Sequence, residues 1–268
     1  MKDITFRDLQ RGLREVGLTP DSRVVVHASL SAFGHVRGGA EVLAGALTAG
    51  AGLVLMPAFT GQCQITPRVG PPANGLQYGD HQAQNAEAEL FHPDLPAHAD
   101  MGVTAETLRC LPEARRSSHP LLSFTAVGAG AERLLAAQTL ADPWAPLDRL
   151  AAEGGDVLLL GVDHTRNAAI HLAEQRAGRK SFVRWALTAA GVRECAGWPG
   201  CSDGFNALLP HVTAFTRAAR VGGGLIQRLP LADLLTTVEA LLQRDPAALL
   251  CAAPACARCQ SVRDHVTA

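Results

Sequence analysis

Residues 24–39 read VVVHASLSAFGHVRGG, and AEVLAGAL at 40–47 and LVLM at 53–56 follow them. The three valines at 24–26 form a short continuous apolar run, which predicts a strand buried on both faces. The stretch at 40–47 predicts a helix, and residues 53–56 predict a second buried strand that Pro57 ends. A strand, a glycine-rich loop, a helix and a strand make a βαβ unit with a right-handed crossover. This stretch therefore predicts an α/β fold.

Signals of the same kind continue along the chain. The apolar spacing predicts further helices at 6–16, 103–111, 131–137, 168–177 and 231–243, and strands at 124–127 and 156–161. Residues 60–100 show no clear periodicity, and so long a loop in a compact domain is usually functional or disordered. We expect one domain over residues 1–268, with a central, mostly parallel sheet flanked by helices. Residues 246–268 are expected to form a short cysteine-containing appendage.

The composition argues against several classes of protein. The chain has 268 residues, 24 Lys plus Arg against 25 Asp plus Glu, and 4% aromatic residues. A nucleic-acid partner is not expected, because such proteins usually carry a strongly basic surface or stacking platforms. The longest apolar stretch, 42–59, is interrupted by Thr48, glycines and Pro57, so no membrane partner is expected. Residues 1–14 are charged throughout and lack a signal-peptide core, which predicts a cytoplasmic location.

The end of the first predicted strand carries candidate ligand-binding residues. In a parallel sheet, ligands bind at the carboxyl ends of the strands. Here His27, Ser29 and Ser31 are followed by Gly38 and Gly39, which lead into a helix. Backbone N–H groups at a helix start, approached through glycines, favour a phosphate group. The pattern is neither a P-loop nor G-x-G-x-x-G, and an ordinary βα turn is the alternative interpretation.

Two further segments carry titratable side chains. His171 and Glu174 are three residues apart on a predicted helix, so they share a face on which a carboxylate can orient a histidine or hold a cation. A solvated helix face is the alternative. His119 precedes Pro120 on extended backbone and can serve as a general base. Arg116 beside it can pair with phosphate oxygens; the alternatives are an exposed histidine and a basic surface loop. No G-x-S-x-G motif supports a serine hydrolase.

Five short motifs follow one another along the chain. They cover about residues 5–245 and read VHASLSAFGHVRGGA at 26–40, MPAFT at 56–60, MG at 101–102 with Glu106 and Arg109, RSSHP at 116–120 with Ser123, and GVD at 161–163 with HLAE at 171–174. Together they resemble the aminoglycoside 3-N-acetyltransferase family, which has the antibiotic N-acetyltransferase fold and differs from the common GNAT fold.

The resemblance implies transfer of an acetyl group from acetyl-CoA to an amine, the 3-amino group of the 2-deoxystreptamine ring of an aminoglycoside, and hence antibiotic resistance. His119 would be the general base, and Glu174 would be its partner or a substrate carboxylate. The CoA site would consist of Ser29, Leu30, Ser31, Val36, Gly38, Gly39, Arg116, Ser117 and Ser123. The substrate side would include Thr60, Asp80, Asp163 and His171.

Elementary chemistry agrees with this assignment. An ammonium group has no lone pair, so the acceptor amine must lose a proton before it attacks the thioester, and a histidine oriented by a carboxylate suits that step. Backbone N–H groups near Ser29 and Ser31, or the Thr60 hydroxyl, would stabilise the oxyanion. Asp80 belongs to a set of acidic residues expected to form a lid for a cationic substrate; the others are Glu87, Glu89, Asp94 and Asp100.

Other functions remain open at this point. The acceptor can be a different small amine, or the chain can be a non-catalytic CoA-binding protein; a hydrolase is a more distant alternative. The partner is expected to be a small molecule, and a homodimer is left open.

The cysteines form a separate pattern. An odd number, seven, without a secretion signal predicts thiols rather than a disulfide framework. Cys251, Cys256 and Cys259 have a C-x4-C-x2-C spacing that suits a structural zinc ion, which needs four ligands. The candidates for the fourth are Cys195, Cys201, His211 and His265. Free thiols on a loose appendage are the alternative.

Overall fold

Ten strands form two sheets in the computed structural model, which describes residues 3–267. The strands are β1 (Arg23–Ala28), β2 (Leu53–Pro57), β3 (Gln64–Ile65), β4 (Arg115–Arg116), β5 (Phe124–Gly128), β6 (Asp156–Leu160), β7 (Phe182–Thr188), β8 (Gly191–Trp198), β9 (Arg217–Val221) and β10 (Gly224–Pro230). The large sheet has the order β4-β5-β2-β1-β6-β10-β9, and the small one the order β3-β7-β8.

The direction of the strands differs from the expectation. Only β2 and β6, the two neighbours of β1, run parallel to it. The other four pairings of the large sheet are antiparallel. The α/β class is confirmed, but the expected mostly parallel sheet is corrected to a mixed sheet with a parallel centre. A strand that is buried on both faces shows the same apolar run in either direction, so the run does not specify direction.

Helices cover both faces of the large sheet. They are α1 (Phe6–Glu15), α2 (Gly39–Gly50), α3 (Gln82–Ala86), α4 (Gly102–Arg109), α5 (Ala131–Leu135), α6 (Ala145–Ala152), α7 (Ala169–Arg176), α8 (Leu209–Val212), α9 (Leu231–Arg244) and α10 (Ala257–Val266). Val24 and Val26 belong to the core with α1, α2 and α4, whereas Val25 belongs to the core with α5, α6, α7 and α9. This alternation confirms that β1 is buried on both faces.

The segment at 60–100 contains only the short elements β3 and α3 among the strands and α-helices described, and the rest of it is irregular. It contributes Cys63, Phe91 and Leu95 to the core. Asn74, which is buried, accepts a hydrogen bond from the Val183 N–H (2.8 Å) and donates one to the Val183 carbonyl (3.0 Å). Its side-chain amide therefore takes the place of a neighbouring strand at the start of β7.

The C-terminal residues pack against the rest of the chain. Leu249 and Cys251 are buried, and α10 follows them. A Cβ on Gly204 would lie 2.4 Å from the Leu249 carbonyl oxygen, so only glycine permits this close approach. Across residues 3–267, no helix has the length and apolar character that crossing a membrane requires.

Candidate active site

A cavity of about 720 Å³ opens at the carboxyl ends of the parallel strands. His27 and Ala28 at the end of β1 line it, as do Met56 and Pro57 at the end of β2. Val162, two residues after β6, closes the third side. The cavity therefore lies where ligands bind in sheets with parallel strands.

The βα turn predicted from the sequence forms one wall of this cavity. Six of the nine residues predicted to bind CoA lie on it: Ser29, Leu30, Ser31, Val36, Gly38 and Gly39. Gly38 and Gly39 adopt φ of +80° and +58°, which favour glycine. No side chain caps the start of α2. The Gly39 N–H donates to the Val36 carbonyl (2.9 Å), and the N–H groups that follow it in the first turn are available to an anion.

The other three residues predicted to bind CoA make hydrogen bonds within the protein. The Arg116 guanidinium donates to the carbonyl oxygens of Ala58 (2.7 Å), Pro93 (3.1 Å) and Leu95, and its Nε donates to the Ser123 hydroxyl (3.1 Å). These bonds occupy four of the five N–H donors of Arg116, which leaves only one for a phosphate group. Burial lowers the pKa of Arg116 to about 10.

The two serines near Arg116 are also occupied. The Ser117 hydroxyl accepts the Phe124 N–H (2.8 Å), and the Ser123 hydroxyl donates to the Ala58 carbonyl (2.7 Å). Both side chains are buried, and neither residue is part of the cavity wall as described over residues 3–267. Arg116, Ser117 and Ser123 hold the loop before β5, and these contacts argue against the part in CoA binding that the resemblance implies.

His171, Glu174 and Arg179 form a buried chain of charged and polar groups at α7. Glu174 Oε2 lies 2.7 Å from His171 Nδ1, and Glu174 Oε1 accepts a hydrogen bond from Arg179 at 2.8 Å. The side chains of the three residues are only 10%, 7% and 5% exposed, respectively. The shared helix face predicted for His171 and Glu174 is confirmed.

The protonation state of Glu174 follows from its neighbours. Burial alone would raise the pKa of this carboxyl, but the hydrogen bond with His171 and the charge of Arg179 outweigh burial and lower it. The carboxylate is therefore ionised, and it accepts the Nδ1–H of His171. That bond leaves the lone pair on Nε2, the nitrogen that can take up a proton.

His27 lies beside this chain, at the end of β1. Burial, together with the nearby His171, lowers the pKa of His27 to about 3, so its ring is neutral. Its Nε2 is buried and has no hydrogen-bond partner among the described residues. His27 lines the cavity and lies close to His171. It therefore lies between the cavity and the chain formed by His171, Glu174 and Arg179.

His119 has a different environment from the one expected of a base. Its Nδ1 accepts the N–H groups of Leu121 (3.2 Å) and Leu122 (2.9 Å), so the ring proton lies on Nε2. That nitrogen is buried without a partner, and burial lowers the pKa of His119 to about 4. Glu174 bonds to His171 and Arg179 and not to His119. As described over residues 3–267, the cavity wall includes neither His119 nor His171, so the wall does not distinguish the two histidines. This geometry argues against His119 as the base and against its pairing with Glu174.

The predicted substrate residues are dispersed. Thr60 is fully buried, and its hydroxyl donates to the Pro120 carbonyl (2.7 Å), so it cannot stabilise an oxyanion in this arrangement. Asp80 is exposed and accepts the Gln82 N–H (3.1 Å) outside the described cavity wall. Of the five predicted lid acids, only Asp100 lines the cavity.

Asp163 is held by hydrogen bonds beside the cavity. It accepts the Thr165 N–H (3.0 Å) and the Asn206 side-chain N–H (2.8 Å). Partial burial opposes ionisation, but these bonds outweigh it and lower the pKa of Asp163. An exposed, ionised carboxylate next to Val162 suits a cationic group at the cavity mouth.

Arg166 is a cavity residue that the motifs do not single out. It lies on the wall and is exposed, and its guanidinium makes no hydrogen bond or ion pair within residues 3–267. The available signal is its position in the loop after β6, at the carboxyl end of a parallel strand. The position at the end of a parallel strand also applies to His27, at the end of β1, which is already among the candidate ligand-binding residues.

Comparisons with known proteins agree with the motifs. The family model for aminoglycoside 3-N-acetyltransferase matches residues 25–243, and the chain belongs to this family. Aminoglycoside N(3)-acetyltransferase VIII of Streptomyces fradiae is 37% identical over 194 residues, which are 68% of this chain and 65% of that protein. The match thus spans slightly less than two thirds of the relative's length.

Solved structures share the fold over almost the whole chain. The apoenzyme of aminoglycoside acetyltransferase AAC(3)-IVa superposes with a TM-score of 0.81 at 25% identity, and the match covers 98% of each chain. The binary complex of AAC-IIIb with CoASH gives a TM-score of 0.74 at 24% identity, with 91% of this chain and 97% of that chain covered. The order of strands and helices is therefore that of known aminoglycoside acetyltransferases.

Proposed function

We propose that this chain is a cytoplasmic, acetyl-CoA-dependent N-acetyltransferase that acetylates the 3-amino group of an aminoglycoside. The observation that carries the proposal is the buried His171–Glu174 pair beside a cavity that lies at the carboxyl ends of β1, β2 and β6. Family membership supports the reaction class.

The CoA end of the cavity is the turn from Ser29 to Gly39. The uncapped start of α2 offers N–H groups and the positive end of the helix dipole to a pyrophosphate. Arg166 supplies a free guanidinium on the same wall, which suits a phosphate oxygen. AAC-IIIb, which shares this fold, has been solved with CoASH bound. These features favour acetyl-CoA as the co-substrate.

His171 is the general base of the proposed reaction. Its Nε2 takes the proton of the acceptor amine, and the ionised Glu174 stabilises the imidazolium that forms. The neutral amine then attacks the thioester carbonyl carbon. When the tetrahedral intermediate collapses, the C–S bond breaks, and the CoA thiolate leaves and takes up the second proton of the nitrogen, which gives the amide and CoA thiol. The hydroxyls of Ser29 and Ser31 share one hydrogen bond of 3.2 Å on the cavity wall, which leaves the other O–H as a donor for the oxyanion.

The cationic substrate would bind at the acidic part of the rim. Asp100 lines the cavity. The ionised Asp163 lies beside the cavity, in the loop that follows β6. Charge at these two positions attracts an ammonium group, whereas the net charge of the chain, −1, is too small to steer one. The role of Asp80 on the substrate side stays a prediction.

The proposal includes a zinc ion that takes no part in the chemistry. Cys251, Cys256 and Cys259 would hold it together with Cys201, whose sulfur lies with theirs in one cluster.

The test is thiol release from acetyl-CoA with a panel of aminoglycosides and simple amines, followed by mapping of the acetylated nitrogen. We expect turnover with aminoglycosides, modification at the 3-amino group, and turnover at least about 10²-fold lower for His171→Ala. Turnover only with other amines would contradict the substrate, and CoA binding without transfer to any amine would contradict the enzyme.

A further inference from the structure

Four cysteine sulfurs meet at one point on the side of the molecule where the C-terminal residues pack. The Sγ atoms of Cys201, Cys251, Cys256 and Cys259 all lie within 4.8 Å of one another. Four thiolates around one zinc ion lie about 3.8 Å apart, given Zn–S bonds of about 2.3 Å and tetrahedral geometry. The cluster is thus close to the size of a zinc site, and Cys201 is the fourth candidate that the structure selects.

The local backbone suits thiolates. Cys256 occupies the N-cap position of α10, with no capping hydrogen bond from its side chain. Cys259 lies in the first turn, where the uncompensated N–H groups of a helix stabilise negative charge. The Cys251 N–H donates to the Cys259 sulfur at 3.4 Å. All four cysteines are unpaired thiols, and three of them are buried.

Two arginines add positive charge at the cluster. Arg263 donates to the Cys251 carbonyl, and Arg258 donates to the Gly200 carbonyl (2.9 Å), next to Cys201. A divalent ion with four thiolates carries a net charge of −2, which nearby cations offset.

The same C-terminal residues reach the candidate active site. Arg179, which binds Glu174, also donates to the carbonyl oxygens of Pro246 and Ala248, at 2.6 Å each. Leu249, which follows Ala248, has a φ of +64°, an unfavourable conformation for leucine that persists only where the surroundings enforce it. The segment from Pro246 to Cys251 thus joins Arg179 to the sulfur cluster.

We infer that Cys201, Cys251, Cys256 and Cys259 bind one structural zinc ion, and that this ion fixes the segment that holds Arg179 against Glu174. Four cysteine ligands leave no open coordination position, so the ion orders the chain and binds no substrate. Arg179 is then a positioning residue, which acts on the base through Glu174. This second part rests on the proposed function.

The first experiment measures the metal content of the purified full-length chain by mass spectrometry. We expect about one zinc per chain in the wild type and in Cys110→Ser, which changes an exposed cysteine outside the cluster. We expect a loss of most of the zinc in Cys201→Ser. Well under one zinc per chain in the wild type, iron in place of zinc, or full zinc in Cys201→Ser would overturn the assignment.

Two measurements keep this test decisive if Cys201→Ser does not fold. Cys256→His keeps four ligands of types that zinc accepts, so it should retain the ion. Removal of zinc from the wild type by a chelator should lower the midpoint of thermal unfolding, and added zinc should restore it. Neither measurement requires that the enzyme be active, so failure of the proposed function would not affect them.

The second experiment tests the link to the base with pH profiles of turnover. Arg179→Ala removes the positive charge beside Glu174, and removal of zinc should release the segment that holds Arg179 in place there. Because the charge of Arg179 lowers the pKa of Glu174, which must be ionised to stabilise the imidazolium, the acidic limb of the profile should move to higher pH without that charge. Arg179→Lys, which keeps the charge, should restore much of the profile. An unchanged acidic limb in Arg179→Ala would overturn the positioning role and leave the zinc assignment standing.

Discussion

The loop before β5 and the helix α7 each bury a histidine, and the two rings differ in what meets Nδ1. At His119, two backbone N–H groups donate to Nδ1, so the proton lies on Nε2 and the pKa falls to about 4. At His171, the Glu174 carboxylate accepts the Nδ1–H, and Nε2 keeps its lone pair. The comparison shows that the partner of one ring nitrogen decides whether the other can act as a base.

The largest difference between these regions should appear in kcat. His171→Ala should lower kcat by about 10²- to 10⁴-fold, because it removes the group that takes the proton. His119→Ala should lower kcat by less than about 10-fold, although it leaves two buried N–H groups without an acceptor and so reduces stability. Steady-state kinetics on folded variants measure both effects. Equal losses of kcat would mean that both histidines take part in the reaction.

Glu174→Gln should have the next largest effect. The amide keeps the shape but lacks the charge that stabilises the imidazolium, so kcat should fall by about 10- to 100-fold. Glu239→Gln is a matched control, because Glu239 pairs with Arg176 on the surface of the neighbouring helix α9. That variant should retain its activity. Comparable losses in the two variants would show that the effect is not specific to the buried carboxylate.

The protonation of His119 should affect how the free energy of unfolding depends on pH under acidic conditions. The folded pKa is about 4 and the unfolded pKa is about 6.5. The unfolded chain therefore binds the extra proton between these values, and stability present above pH 6.5 is lost as the pH falls towards 4. This group alone should account for a loss on the order of 2–3 kcal/mol.

Denaturant unfolding at several pH values measures that loss. His119→Asn keeps a side-chain acceptor near the two N–H groups but cannot titrate, so its stability should depend less steeply on pH. His27 has a lowered pKa as well and contributes with the same sign, so some dependence should remain. An identical slope in wild type and His119→Asn would contradict the neutral, buried ring.

The smallest expected effects are those of substitutions at Arg166 and Arg116, which should change different quantities. Arg166→Ala should raise the KM for acetyl-CoA by about 3- to 10-fold, the scale of one hydrogen bond between charged groups. Arg116→Ala should instead reduce stability, because the carbonyls of Ala58, Pro93 and Leu95 lose their donor. The opposite pattern, a raised KM only for Arg116→Ala, would place the phosphate beside β4.

Much of the fold follows from local sequence signals. The predicted strand at 53–56 is observed at Leu53–Pro57, the predicted helix at 168–177 at Ala169–Arg176, and the predicted helix at 231–243 at Leu231–Arg244. Each of these segments is apolar on the faces that its surroundings bury, so its own pattern is sufficient. The direction of strands such as β5 depends on long-range pairing, which the apolar runs do not encode.

The small sheet shows where the pattern fails. In β7, the inward position after Phe182 is Arg184, a residue type that is rarely buried. It is buried because the carbonyls of Asn74 and Val183 accept its N–H groups, at 3.1 and 2.7 Å. These carbonyl groups have no sequence signature, so alternation alone does not reveal the strand.

Like the fold, the candidate site has parts that local sequence signals predict and parts that depend on contacts in the folded chain. The turn at Ser29–Gly39 and the i, i+3 spacing of His171 and Glu174 are local features. The structure places the turn on the cavity wall and joins His171 to Glu174 by a hydrogen bond. The choice between His119 and His171 depends on what contacts Nδ1, and those contacts come from the folded loop before β5. Arg116 and Arg166 have the same side chain, and only the arrangement of carbonyl groups distinguishes their roles.

The parallel pairing at the centre of the sheet has a consequence for synthesis of the chain. β1 leaves the ribosome about 130 residues before β6, the strand that covers its second edge. At roughly 5–20 residues per second, that edge stays unpaired for on the order of ten seconds. An apolar strand with an open edge is prone to aggregation, so the nascent chain carries this risk until residue 160 has emerged.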